Sequence, residues 1–241
     1  MAKIYPLSFS RVAIGSAAVP THLRPTAAIA ADAVLTGDPG RALLLAQELL
    51  EEPKMSNHAR GLWGYSGQTP AGDALTIQAT GIGGPSAALV LGDLAELGVR
   101  RAVRVGTCFG FGDCRPGELL LVTAAIAAGG SATSLGVAAG ETLTPDAALT
   151  ARGAEILAGG GRPAEIASID VHPGEQDAPA GAAAADMQTA PLLARARSLG
   201  IATAAILIVA ETAGGEVTLN GEELGLAEKR AGRAASAILS V

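Results

Sequence analysis

Aromatic side chains make up only 2% of the 241 residues, so alanine, valine, isoleucine and leucine must fill whatever interior this chain builds. Such a core packs in thin layers. Cysteine is scarcer still: Cys108 and Cys114 stand alone, with no second cysteine pair or histidine spacing to complete a zinc site. Neither a disulfide framework nor a bound metal is expected, and buried thiols are the plain reading. Basic charge is also short, with 17 Lys and Arg against 23 Asp and Glu and a net charge of -6. The arginines are dispersed, which argues against a nucleic-acid surface, since phosphate backbones need a basic stripe. Long apolar runs are missing. No segment reaches the length of a bilayer span, and the first twenty residues are interrupted by Tyr5, Pro6, Ser8, Ser10 and Arg11 before any signal-type run forms. A cytoplasmic protein with small-molecule partners, and neither nucleic acid nor membrane, is expected.

What the chain does have is hydrophobic residues, 49% of the total, and 32 glycines for tight turns and close backbone approaches. That suffices for one domain over residues 1–241. Short apolar runs at 33–35, 74–79, 102–105, 119–125 and 204–209 read as strands. Periodic stretches at 41–50, 85–97, 190–199 and 222–239 read as helices. Their alternation is that of an α/β fold. Residues 129–139, 159–163 and 177–185 read as loops, and no internal repeat is present.

Two segments point to an anion. Thr36-Gly37-Asp38-Pro39-Gly40-Arg41 sets a glycine turn after a strand and an arginine on the first turn of a helix, where free N–H groups and the helix dipole favour negative charge. In Val103-Arg104-Val105-Gly106-Thr107 an apolar strand delivers a guanidinium and a hydroxyl to its carboxyl end, where ligands gather in open α/β sheets. An arginine in such a strand is costly to bury unless an anion or carboxylate meets it. Arg60, in Asn57-His58-Ala59-Arg60-Gly61, supplies a third guanidinium, a set suited to a phosphate dianion.

These stretches, together with Thr80-Gly81-Ile82-Gly83-Gly84-Pro85-Ser86, resemble in order and spacing the signature segments of the hexameric purine nucleoside phosphorylase and uridine phosphorylase family. The similarity runs from about residue 20 to about residue 239 and is closest in the first half. It implies a three-layer αβα fold with a mixed, twisted central sheet and phosphorolysis of a nucleoside, with inorganic phosphate as co-substrate and no other cofactor. It also implies homodimers that complete each other's sites, assembled into hexamers.

Carried over residue by residue, Gly37, Arg41, Arg104 and Thr107 would hold phosphate, with Arg60 reaching in from the neighbouring subunit. His22, also from the neighbour, would meet the ribose 5′-hydroxyl. The family's Glu-Met-Glu ribose run is here Asp186-Met187-Gln188, which keeps the packing Met but loses a carboxylate. Lower activity or a modified sugar is the expected consequence. Glu211, at the end of the 204–209 strand, takes the place of the family's catalytic Asp as acid for the leaving base, while the activating arginine downstream is absent. Cys108, Phe109 and His172 are the candidate base contacts. Glu175 and Asp177 stand where relatives read uracil with Gln and Arg, which favours a purine.

Rival readings remain at this level. The Thr80 to Ser86 turn resembles a dinucleotide-binding loop but lacks its third glycine and the downstream acidic residue. A nucleosidase would lack the phosphate arginines, all three of which are present. A non-catalytic nucleoside-binding protein would explain Phe109, Gln188 and the altered acid.

Overall fold

The computed structural model describes residues 20–173, 179, 181–213 and 218–240. Glu175 and Asp177 lie outside these residues.

The apolar runs form the strands that their composition demands. β1 (Asp32–Thr36), β4 (Ala74–Ala79), β5 (Arg101–Gly110) and β10 (Ala202–Thr212) are parallel neighbours, in the order β4, β1, β5, β10. Alternate residues serve opposite faces, as a strand's period of two requires. Val34, Val103, Val105, Ala204, Ile206 and Ile208 pack under helices α1 (Pro39–Leu49), α4 (Ala147–Ile156) and α6 (Gly221–Leu239). Ala33, Leu35 and Ala102 turn the other way, toward α2 (Gly83–Glu96) and α5 (Thr189–Leu199). The result is a mixed central sheet between two helical layers, as expected.

Beyond β4 the sheet continues antiparallel through β3 (Gly64–Gln68) to β2 (Glu51–Asn57) at the edge. On the other side it closes on itself. β10 pairs with β6 (Leu119–Ala127), β6 with β8 (Arg162–Ser168), β8 with β9 (Ala184–Asp186), and β9 returns to β5. A short β7 (Thr142–Leu143) flanks β6.

The described parts of the segments read as loops are more ordered than their composition suggests. Residues 129–139 contain the four-residue helix α3 (Gly130–Thr133), 162–163 open β8, and 184–185 open β9. Sheet pairing overrides weak local preference in the latter two. The Thr80 to Ser86 turn brings α2 close to α5. A Cβ on Gly84 would lie 2.5 Å from Pro191 Cγ, and Gly81 and Gly83 adopt positive φ of 77° and 81°. That close approach accounts for its glycines without a dinucleotide. No helix among the described residues is long and apolar enough to cross a membrane.

Candidate active site

The carboxyl ends of β1, β5 and β10 open into a cavity of about 360 Å³. Its first wall is the β1 to α1 turn. Asp38 caps α1 by accepting from the Arg41 N–H at 2.8 Å, and Pro39 presets the first helical turn. Arg41 thereby lines the cavity beside Gly37, only 7% exposed, with its Nε donating to Glu228 Oε1 of α6 at 2.6 Å.

The second wall is β5. Arg104 is 4% exposed, and all three guanidinium nitrogens are engaged: Nε donates to Thr189 Oγ1 (3.2 Å), Nη1 to Gln188 Oε1 (2.5 Å) and Nη2 to Asp186 Oδ2 (3.0 Å). Burial pulls its pKa down and Asp186 opposes that pull. Gly106 makes the arrangement possible, because a Cβ there would sit 2.6 Å from Arg104 Cζ and closer still to Nη2. Gly106→Ala is therefore expected to push the guanidinium off its partners and to cost about 1–3 kcal/mol, read as a drop in denaturant midpoint. An unchanged midpoint would contradict this packing.

The strand arginine is met by a carboxylate, as its burial requires, and so is Arg41. Neither pairing fills the space: both arginines line the open cavity with Thr107. Asp186 is itself fixed by Ser168 Oγ (2.5 Å) and Thr189 Oγ1 (2.6 Å), which donate to its two oxygens.

The third wall carries Cys108, Phe109, His172 and Glu211. A register shift between Val209 and Glu211 interrupts the β10 to β5 ladder and puts Glu211 opposite Phe109. His172 Nε2 lies 3.8 Å from Glu211 Oε1, and its ring meets Phe109 edge-on at 6.4 Å between centroids. Phe109 in turn packs on Phe111 at 5.5 Å. Cys108 contacts the Ile208 carbonyl with its Sγ, and burial pushes the thiol's pKa well up, so it stands as a neutral wall residue.

Among the described residues, every candidate phosphate, ribose, base and acid residue lines this cavity except Arg60 and His22. Arg60 is exposed, in a 3-10 turn (Ala59–Gly61) where it takes the left-handed φ of 58°. Asn57 Nδ2 donates to Leu62 O at 2.5 Å and Gln78 Nε2 to the same oxygen at 2.8 Å, bracing that turn. His22 is held by Asp93, which accepts from the His22 N–H (2.6 Å) and the Leu23 N–H (2.8 Å). Burial raises the Asp93 carboxyl, but those amide bonds outweigh it and leave the pKa lowered.

Glu228 and Thr189 were not anticipated. Glu228 left a trace: it follows Ala227 and precedes Ala231, Ala234 and Ala235, all buried, so it sits beside the apolar stripe of an amphipathic helix. A carboxylate there calls for a buried cation.

A family model described as the phosphorylase superfamily matches residues 32–175. The DeoD-type purine nucleoside phosphorylase of Clostridium beijerinckii is 32% identical over 207 residues, which cover 80% of this chain and 86% of that one. Its counterpart in Oceanobacillus iheyensis is 43% identical over 81 residues, about a third of each chain (33% and 34%). Among solved structures, uridine phosphorylase from Vibrio fischeri superposes with a TM-score of 0.78 at 20% identity, covering 88% of this chain and 91% of that one. Model and relatives together show that this chain belongs to the phosphorylase superfamily of purine nucleoside and uridine phosphorylases.

Proposed function

We propose that the chain is a nucleoside phosphorylase that moves the pentosyl group of a purine nucleoside to inorganic phosphate, in purine salvage in the cytoplasm. The observation that carries this reading is the meeting of Arg41 and Arg104, 63 positions apart in sequence, at one cavity with Thr107 and the start of α1. Guanidiniums, a hydroxyl and backbone N–H groups at a helix start form an anion site.

In this reading phosphate lies between Gly37, Arg41, Arg104 and Thr107, and the sugar packs on Met187. The base reaches Phe109 and His172. A phosphate oxygen bonds to the anomeric carbon as the glycosidic bond breaks, and its electron pair leaves with the base. Positive charge builds on the sugar meanwhile, and the phosphate dianion stabilises it. Glu211 donates a hydrogen bond or proton to the departing ring nitrogen, and phosphate's own proton restores the balance. Exposed Arg60 and surface-proximal His22, which do not line this chain's cavity, serve that of a neighbouring copy. The assembly is then at least a homodimer, in line with a hexamer.

The test is a panel of purine and pyrimidine nucleosides incubated with phosphate and scored for free base and sugar 1-phosphate. Purine cleavage only when phosphate is present is the expected result. Equal base release in phosphate-free buffer would make the protein a hydrolase, and nucleoside binding without release a binding protein.

A further inference from the structure

His22 and Arg60, the two groups that stay outside this chain's own cavity, are joined through one side chain. Asn57 closes β2 and is 1% exposed. Its Oδ1 accepts from the Arg24 N–H at 2.7 Å, two residues past His22. Its Nδ2 donates to the Leu62 carbonyl at 2.5 Å and to the Ala59 carbonyl at 3.3 Å, the residues on either side of Arg60 and Gly61. Both N–H donors of the amide are thus used, and two carbonyls on one end with an N–H on the other fix which end is nitrogen.

Neither segment holds its shape by itself. Arg60 and Gly61 both take left-handed backbone, with φ of 58° and 69°, and an arginine persists there only when its surroundings fix it. Residues 20–31 form no helix or strand, so the arm that carries His22 depends on bonds made to other elements. Asp93 of α2 grips its start through the His22 and Leu23 N–H groups, and His22 Nδ1 lies 3.4 Å from the other carboxylate oxygen. Thr26 fastens the arm to β2, its N–H donating to Ser56 O at 2.8 Å and its Oγ1 to Met55 O at 3.0 Å. Asn57 bonds to both the arm and the turn.

We propose that Asn57 is a positioning residue for the site of a neighbouring copy: it locks the His22 arm and the Arg60 turn into one unit, so that the sugar end and the phosphate end of that site are furnished together. This rests on the reading above, in which those two groups act across subunits. Asn57 touches neither substrate. Its effect is on where the lent groups stand, and a misplacement of about 1 Å can cost about 10²-fold in rate.

The experiment isolates, through two different tags, a hybrid of full-length Asn57→Ala and Arg104→Ala chains. The first chain has a sound cavity and loose lent groups, and the second the reverse. Alone, Asn57→Ala should lose about 10²-fold in kcat/KM for adenosine and for phosphate alike, and Arg104→Ala at least about 10³-fold. The hybrid brings the sound cavity and the sound lent groups together, so it should regain about a quarter to a half of the wild-type kcat, and bind adenosine tightly at the same fraction of sites by calorimetry without phosphate. A hybrid no more active than the mean of its parents overturns the proposal, because Asn57 then serves its own chain, and so does a monomeric wild type. Arg24→Pro deletes the N–H that Asn57 accepts and spares the turn, so KM for adenosine should rise about tenfold while KM for phosphate stays within about twofold. Arg24→Ala keeps that N–H and should match the wild type; an Arg24→Pro chain indistinguishable from it also overturns the proposal. Should Asn57→Ala not fold, Arg24→Pro takes its place in the hybrid. Adenosine binding without base release in the wild type defeats the phosphorylase reading, and the count of tight sites in the hybrid then decides this proposal separately.

Discussion

Arg104→Ala is expected to lower kcat/KM for phosphorolysis by at least about 10³-fold, the scale of losing a preorganised charge-stabilising donor, and to cost about 3–5 kcal/mol of stability. Both effects have one origin. Arg104 is enclosed by Thr189, Gln188 and Asp186, so its removal takes a cation from the anion site and leaves the Asp186 carboxylate buried without its counter-ion. The two losses separate in a double variant. Adding Asp186→Asn to Arg104→Ala removes the stranded charge, so thermal midpoint should recover much of its fall while activity stays lost. Full stability in the single variant would mean that Asp186 is satisfied by Ser168 and Thr189 alone. Retained activity would remove Arg104 from the chemistry.

Glu228 carries the second large effect, and here two substitutions at one position are expected to move phosphate KM in opposite directions. Glu228→Gln keeps a hydrogen-bond acceptor for Arg41 Nε but deletes a negative charge from the edge of the anion site. Phosphate KM should fall, by up to about tenfold. Glu228→Ala deletes the anchor as well. The guanidinium then swings among several rotamers, KM should rise by about tenfold, and stability should drop by about 3 kcal/mol because a buried cation has lost its partner. Phosphate itself then serves as the replacement counter-ion, so the rise in Tm on adding phosphate should be larger in the alanine variant than in the parent. Equal KM values in all three proteins would show that the Arg41 to Glu228 pair, at 2.6 Å, is purely structural.

The parts of the molecule that could be read from sequence are those in which one residue's environment dominates. β1, β4, β5 and β10 are apolar runs buried along most of their length, and α6 carries a clear apolar stripe, so composition alone names them. β2 defeated that reasoning because Glu51-Glu52-Pro53-Lys54 has the charge and proline of an exposed edge, where solvent rather than a core chooses the residues. β9 is three residues long and made of Ala184, Ala185 and Asp186, so its strand character comes wholly from β5 and β8 on either side. Closure of the sheet through β6, β8 and β9 is a matter of long-range pairing that no local window contains. The cavity followed the same division. Gly37, Arg41, Arg104, Thr107 and Met187 were found through their motifs, whereas the Arg41 to Glu228 contact joins positions 187 apart. The Gln188 amide was read as a weakened ligand, because sequence shows what a side chain could bind but not which bonds it has already made.

β5 and β10 run side by side through ten paired positions, from Arg101 beside Ala202 to Gly110 beside Thr212, with one shift near the end. Arg104 and Phe109 are five steps apart on β5, roughly 16 Å at the rise of an extended chain. The span between the charged end of the cavity and its ring-lined end is thus set by peptide geometry, like marks on a ruler. His172 and Met187, by contrast, hang from connections outside that pair of strands. Redesign for a different base or sugar can work on those connections and leave the ruler untouched, so a library confined to 171–173 and 187 should alter selectivity without disturbing the anion end.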